Sequence, residues 1–263
     1  MRMRKLITVF LMLSMALSLS SCLKSREYEK DGVKYVMRGD VYAVVSINDS
    51  KNSSDLCNIF IPDKINERDV IFVGNNTPVS GWEIYTSLKK TERIYFPWCI
   101  GGFSICEWAS GTENDKLTYV ISASTNQLIA TSKIRNGAKY VIPHPLYLKV
   151  INEEFLDLNI CSGCINLEDF QDRFIFANIA YIFNYEGNPN EGYFFIDLIE
   201  ETSKLNKPPY DPKREGYTFC GWYKETECIN EWNFGTDEVI INFDEEGNRI
   251  YEEIKLYAKW TEK

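Results

Sequence analysis

Histidine is almost missing from this chain: His144 is the one copy in 263 residues. It stands in Pro143-His144-Pro145, which reads as a rigid extended loop. A hydrolase of the Ser-His-Asp or Cys-His kind needs its base within hydrogen-bond reach of a nucleophile, and no Gly-x-Ser-x-Gly elbow supplies one. With one histidine, a zinc ion would have to be held mostly by thiolates. Cys161-Ser162-Gly163-Cys164 is the single Cys-x-x-Cys, where a structural zinc site ordinarily shows two. Redox work of the thioredoxin kind requires that motif inside a βαβ pattern; Ile165 to Phe170 has some helical character, but no such pattern surrounds it. A phosphate-cradling glycine loop is absent too, Gly101-Gly102 being too short. Carboxylates are plentiful (Glu153-Glu154, Glu200-Glu201, Asp244-Glu245-Glu246, Glu252-Glu253), yet no spacing selects the pair a glycosidase needs. The expectation is no catalytic residue, no metal ligand set and no cofactor.

Positive charge is also in short supply. Lys and Arg number 29 against 38 Asp and Glu, a net charge of −9, with no basic cluster to offset it. Such a surface repels nucleic acid and anionic headgroups, so nucleic acid is not an expected partner. Long helical patterns are few, whereas 16 Tyr, 15 Phe and 6 Trp fall largely in alternating positions. That composition predicts a mainly β protein.

What is present begins at the N-terminus. Arg2, Arg4 and Lys5 precede an uncharged run from Leu6 to Ser21, rich in Leu, Met, Val and Ala. A basic head, a short apolar core and small residues before a cut mark an export signal. The run of 16 residues is shorter than the ~20 that span a bilayer comfortably. Its ending, Leu19-Ser20-Ser21-Cys22, resembles a bacterial lipobox. The resemblance implies cleavage after Ser21 and lipidation of Cys22, with several acyl chains on one residue giving a stable anchor. Residues 1–21 are then the signal, 22–30 a polar tether, and the mature chain carries 26 basic and 38 acidic residues, a net of −12. Seven cysteines remain, at 57, 99, 106, 161, 164, 220 and 228, and their spacing leaves the pairing open.

From Asp31 the chain shows short strand-like runs: Val33 onward, then Val41–Ile47, with Arg38-Gly39-Asp40 turning between them. Similar pieces recur in Ile59-Phe60-Ile61-Pro62, Ile94-Tyr95-Phe96-Pro97, Tyr119-Val120-Ile121-Ser122 and Tyr140-Val141-Ile142-Pro143. Their ends are 35, 25 and 21 residues apart, the longest interval carrying an insertion around Asn75 to Glu83. A period in the twenties predicts stacked units, each too small to bury its own apolar face. "DGVKY", "IFIPDKINERDVIFVGNN", "SLKKTERIYFPWCIGGF", "DKLTYVISASTNQLIA" and "AKYVIPHPLYLKVINEEF" resemble the leucine-rich repeats of BspA-like surface proteins. The resemblance implies a short irregular repeat solenoid over residues 31–175. Exposed positions on its strands, within 93–96, 117–121 and 139–142, would then form a contact face.

The C-terminal stretch is sharper. Tyr217-Thr218-Phe219-Cys220-Gly221-Trp222-Tyr223, then Trp232-Asn233-Phe234, and finally Leu256-Tyr257-Ala258-Lys259-Trp260 describe a compact β unit. Gly221 lets the backbone bend and Trp222 turn into the core. Leu256, Ala258 and Trp260 share one strand face, and Val239–Phe243 and Ile250–Trp260 read as strands flanking a Glu246-Gly247-Asn248 turn. The series "P–GYTF–GWY–W–F–LYAKW" closely resembles the Listeria–Bacteroides repeat, also called the internalin B-repeat, a small β-grasp-like module. Tyr181 to Gly187 fits its first strand and turn, and Phe194 to Lys207 is a long insertion. The implied module spans 178–263 and is non-catalytic, a spacer or adhesion unit.

Together these readings give a lipid-anchored protein of the cell envelope, facing outside the cytoplasm. It would be held to the membrane through Cys22 and touch a protein or glycan at the surface, with adhesion as its work. The alternative is a carbohydrate- or peptidoglycan-associated binding lipoprotein, for which Trp82, Trp98 and Trp108 are candidate platforms; a hydrolase is the weakest of the three.

Overall fold

The computed structural model describes residues 27–49, 57–73, 75–77, 81–100, 107–110, 116–125, 138–152, 173–247, 250 and 252–263, without the side chains of 72–77, 81–87 and 107–110. The expected signal (1–21), Cys22, Gly101-Gly102, Cys106, Glu153-Glu154, Cys161 to Cys164 and Ile165 to Phe170 lie outside the described residues, as do the side chains of Trp82 and Trp108. The protein is mainly β, and the described strands form three sheets.

The first sheet opens with β1 (Glu27–Lys30), β2 (Val33–Arg38) and β3 (Val41–Asn48), paired antiparallel. Asp31-Gly32 joins β1 to β2 with both φ angles positive (51° and 78°), the backbone of a tight hairpin turn. Gly39, at φ 59°, starts the next two-residue turn, where the sequence places one. Four residues assigned to the tether therefore sit in a strand. Tyr28 packs on Tyr35 at 5.9 Å between ring centres, and Glu27 pairs with Lys34 at 3.0 Å. β5 (Lys64–Ile65) and β6 (Arg68–Val73) form a hairpin whose second strand runs parallel to β3. β7 (Asn75–Thr77), β8 (Gly81–Ser87) and β10 (Glu107–Ser110) complete the sheet through β8, which also pairs with β3.

The second sheet is a parallel ladder in chain order: β4 (Asn58–Phe60), β9 (Arg93–Phe96), β11 (Tyr119–Ser122), β12 (Lys139–Ile142) and β13 (Phe174–Phe176). The recurring apolar pieces of the sequence are its first four rungs. Asn58, Arg93, Tyr119 and Lys139 stand in register, at intervals of 35, 26 and 20 residues. The pairing continues past the strands, as Ile61 N donates to Tyr95 O (2.9 Å) and Lys139 N to Thr118 O (2.8 Å). Between β12 and β13 lies helix α1 (His144–Ile151), where an extended loop was expected. Its prolines occupy the cap and the first turn, positions whose N–H groups have no partner in a helix anyway. Leu146 and Val150 carry it onto the core.

Four strands make the third sheet. β14 (Ile179–Ile182) and β17 (Ile254–Glu262) run parallel at its centre, flanked by antiparallel β15 (Tyr193–Asp197) and β16 (Tyr217–Tyr223). β15 covers the start of the long insertion. A bulge between Phe219 and Trp222 rotates Trp222 inward, as expected from Gly221, whose φ is 122° and whose missing Cβ would stand 2.9 Å from Glu231 Oε1. The expected strand Val239–Phe243 does not form: Val239 makes a single bridge to Ser203, and Ile240 and Phe243 are exposed. Both edges of β17 are already taken by β14 and β16, so that segment has no central edge to join, and β17 starts at Ile254 rather than Ile250.

The ladder is the middle layer. Ile59, Ile94, Phe96, Val120, Tyr140, Ile142 and Phe174 point into one core with Val33, Tyr35, Tyr42, Val44 and Ile47 of the first sheet. The alternate residues Phe60, Tyr95, Tyr119, Ile121, Val141 and Ile175 enter a second core with Ile179, Tyr181, Phe195 and Leu198 of the third sheet. A strand buried on both faces reads as a continuous apolar run, which is why the rungs were visible in the sequence. It also corrects the expected contact face. In 93–96, 117–121 and 139–142 only Thr118 and Lys139 are exposed, because the third sheet covers that side.

Candidate functional site

Two polar constellations stand out among the described residues. The first lies along the seam between the ladder and the third sheet. Asp197, at the end of β15, accepts from Tyr95 Oη (3.0 Å), Arg93 Nη1 (3.2 Å) and its neighbour's Leu198 N (2.8 Å). Arg93 also donates to Leu198 O (2.9 Å) and lies 5.0 Å from the centre of the Tyr119 ring. Tyr119 Oη completes the row on Glu200. Burial pushes the Asp197 carboxyl above the usual range, opposed by Leu198 N–H, Arg93 and Tyr95, and burial likewise raises the Tyr95 hydroxyl. Asn190 works nearby as a clamp, accepting from Thr125 N and Oγ1 while its amide donates to Ala123 O and Tyr193 O. Asn178 does the same for Ile199. These groups are spent on one another and hold two layers together.

The second is an open cleft of about 290 Å³ lined by Asn184, Arg214, Glu227, Cys228, Ala258, Lys259 and Trp260. All come from the C-terminal sheet and its loops. Just past β14 the chain turns at Asn184 (φ 54°), whose amide donates to Thr226 O (3.0 Å) and Ala258 O (3.2 Å). That fastens the 226–228 loop to β17. Glu225 holds the other side of the loop by accepting from Ile229 N and Asn230 N. Trp260 is fixed by donation from Nε1 to Phe183 O (2.6 Å) and by the edges of Tyr185 and Phe219. The Arg214 guanidinium packs over two rings, Tyr217 at 3.6 Å and Tyr185 at 4.4 Å. Lys259 Nζ donates to Cys228 O (3.3 Å) and sits 4.6 Å from the Tyr223 ring centre. Neither cation has an ion-pair partner among the described residues, and Arg214 makes no hydrogen bond there through its side chain.

The Cys228 thiol is pushed up by burial, against the Asn184 amide and Lys259. That is the wrong direction for a thiolate nucleophile. His144 is not part of the cleft; it packs edge-on against Phe176 at 5.0 Å. Trp98, expected as a platform, is half-buried against the second core with its ring edge-on to Phe183 at 5.4 Å. Cys57, Cys99, Cys220 and Cys228 are free thiols. No cluster of three or more His, Cys, Asp or Glu gathers to hold a metal ion among the described residues, and no described helix is long and apolar enough to cross a membrane.

The described residues therefore make a mainly β protein in which a four-stranded mixed sheet, bearing the cleft, closes over a parallel ladder. Residues 181–259 of that sheet match the family model of the Listeria-Bacteroides repeat domain. The chain is 37% identical over 59 residues to Internalin H of Listeria monocytogenes, which covers 22% of this chain and 9% of that protein. It is 31% identical over 81 residues to a Gly-rich membrane protein of Evansella cellulosilytica, covering 31% of this chain and 8% of the relative. A second membrane protein of that organism is 30% identical over 71 residues, 27% of this chain and 9% of its own length. The chain thus matches less than a tenth of the length of each of these curated relatives.

Proposed function

We propose that this is a non-catalytic, lipid-anchored bacterial surface protein that makes contact with a protein or glycan outside the cytoplasm, in adhesion or ligand binding. The observation that carries the reading is the repeat match over residues 181–259, beside the likeness of parts of the chain to an internalin and to two proteins named as membrane proteins. Cys22, preceded by an export-type apolar run, supplies the anchor in this reading and the membrane is its first partner. The parallel ladder with one rung per unit supports a short leucine-rich-repeat-like domain over 31–175. The mixed sheet with parallel central strands supports a β-grasp-like module over 178–263. A lone histidine packed on Phe176 and a Cys228 thiol raised by burial favour contact over covalent chemistry. No cofactor, metal or nucleic acid enters this reading.

The anchor is tested by metabolic labelling with a clickable fatty acid. Cys22→Ala is expected to lose the label and to release the protein from membranes, and unchanged labelling would remove lipidation from the proposal. A carbohydrate-associated binding role is the second reading, favoured by the cleft with its tryptophan wall.

A further inference from the structure

We propose that the cleft between Arg214, Lys259 and Trp260 binds a carboxylate-bearing sugar, a hexuronate unit of an acidic polysaccharide. The inference rests on reading the chain as a contact protein but not on its anchor.

Three features converge. The first is charge without a counter-ion. In a chain of net charge −9, Arg214 and Lys259 line one cleft and neither is neutralised by a described carboxylate. Glu227 lines the same cleft and forms no ion pair with either. Arg214 is also preorganised. Its guanidinium rests on Tyr217 and Tyr185, while its five N–H donors are spent on no side-chain hydrogen bond among the described residues. A planar donor fork held in place by two rings matches a carboxylate.

The second feature is Trp260, whose indole is locked by its bond to Phe183 O and lines the cleft. A large flat apolar wall beside a cation suits a ring carrying an acid group better than a bare anion. The third is Glu227, exposed at the rim. Its charge weighs more heavily against a phosphate dianion than against a singly charged carboxylate, and it can accept hydrogen bonds from sugar hydroxyls. A hexuronate offers a carboxylate, a ring face and hydroxyl donors together. At about 290 Å³ the cleft lies at the small end of ligand sites, which run roughly 300–1,000 Å³, so it takes about one ring, and its openness lets neighbouring units of a polymer pass outward.

The experiment uses the full chain, titrated calorimetrically with a galacturonic acid trisaccharide, with the neutral galactose trisaccharide, and with an alanyl-alanine dipeptide. Binding is expected for the uronate alone, weakening as salt rises from about 0.1 to about 1 M and the Debye length falls from ~10 to ~3 Å. Arg214→Gln and Lys259→Gln should each weaken it about tenfold or more, the loss of one charge-assisted hydrogen bond. Thermal melting checks that both variants keep the fold; where Arg214→Gln loosens its tyrosines, Lys259→Gln carries the test. Absence of uronate binding, equal binding of the neutral trisaccharide, binding of the dipeptide instead, or unchanged affinity in a folded Lys259→Gln variant each overturns the proposal. Adhesion by the chain through another surface would survive any of those results, and loss of the lipid label in Cys22→Ala bears on the anchor alone.

Discussion

Replacing Trp222 tests whether the C-terminal sheet is organised around that side chain. It is 1% exposed and is the largest fully buried residue among those described. Tyr181 meets it at 5.0 Å and 72°, Phe219 at 5.1 Å and 62°, and Phe194 at 5.8 Å and 27°. Trp222→Ala removes the shared partner of three rings and leaves a cavity that strands β14, β15 and β16 cannot close without breaking their pairing. Large aromatic-to-alanine changes in cores cost about 3–5 kcal/mol. For chains of this size each kcal/mol lowers Tm by roughly 2–4 °C, so a drop of roughly 6–20 °C is expected. Trp222→Phe makes a sharper control. Nε1 of Trp222 has no acceptor among the described residues, so losing the N–H forfeits no hydrogen bond, and only the smaller cavity remains. The expected cost is below ~2 kcal/mol. Near-UV circular dichroism during a melt reads both variants. If Trp222→Ala melted within ~1 kcal/mol of the parent, the claim that this ring holds the sheet would be wrong.

Three further outcomes are expected. Gly221→Ala should destabilise by about 1–3 kcal/mol, since its φ of 122° is costly for any residue with a Cβ and that carbon would press on Glu231 Oε1; a neutral result in a urea titration would deny the bulge its role. Phe195→Ala should lower the melting of the ladder and of the C-terminal sheet in one transition, because Phe195 stacks on Tyr95 across the seam at 5.4 Å and 12°; two resolved transitions, one unmoved, would mean the layers unfold independently. Burial raises the Asp197 carboxyl above its unfolded value of ~3.9. In the window between those two values the folded state binds more protons than the unfolded one, so this group's contribution is full below the unfolded value and lost as pH rises through the folded one. The urea-derived stability of the parent relative to Asp197→Asn should therefore rise as pH falls through that window, and a flat difference would refute the assignment.

Much of this was legible in the sequence, for identifiable reasons. The rungs of the ladder were visible because burial on both faces forces short apolar runs such as Tyr119-Val120-Ile121, and Pro or Ser punctuates their ends. The fifth rung, Phe174–Phe176, lacks that punctuation and was missed. The Gly221–Trp222 bend was readable because a glycine inside an aromatic strand marks a bulge or a close approach of the backbone. Helix α1 was hidden by its own prolines, which disfavour helix everywhere except at its start. The alternation of Val239, Ile241 and Phe243 promised a strand, but local alternation says nothing of whether a sheet edge is free. The cleft was invisible for a deeper reason: Asn184, Arg214, Cys228 and Lys259 lie in four separate segments, and only the sheet order β15-β14-β17-β16 with its loops brings them together.

The coverage of the ladder changes where contact can occur. A stack of repeats offers a binding face only while that face is bare, and here Tyr95, Tyr119, Ile121 and Val141 are spent against the C-terminal sheet. The ladder is thereby a support, gripping the repeat module through the Arg93–Asp197 pair and the Asn190 clamp. The module spends Asp197 and Asn190 on that seam and carries its cleft elsewhere. Every residue lining the cleft belongs to it, and all except Trp260 fall within the matched 181–259 segment. None comes from the seam. The cleft therefore owes its form to the C-terminal sheet and its loops, and the N-terminal layers contribute the buried seam against which that sheet packs.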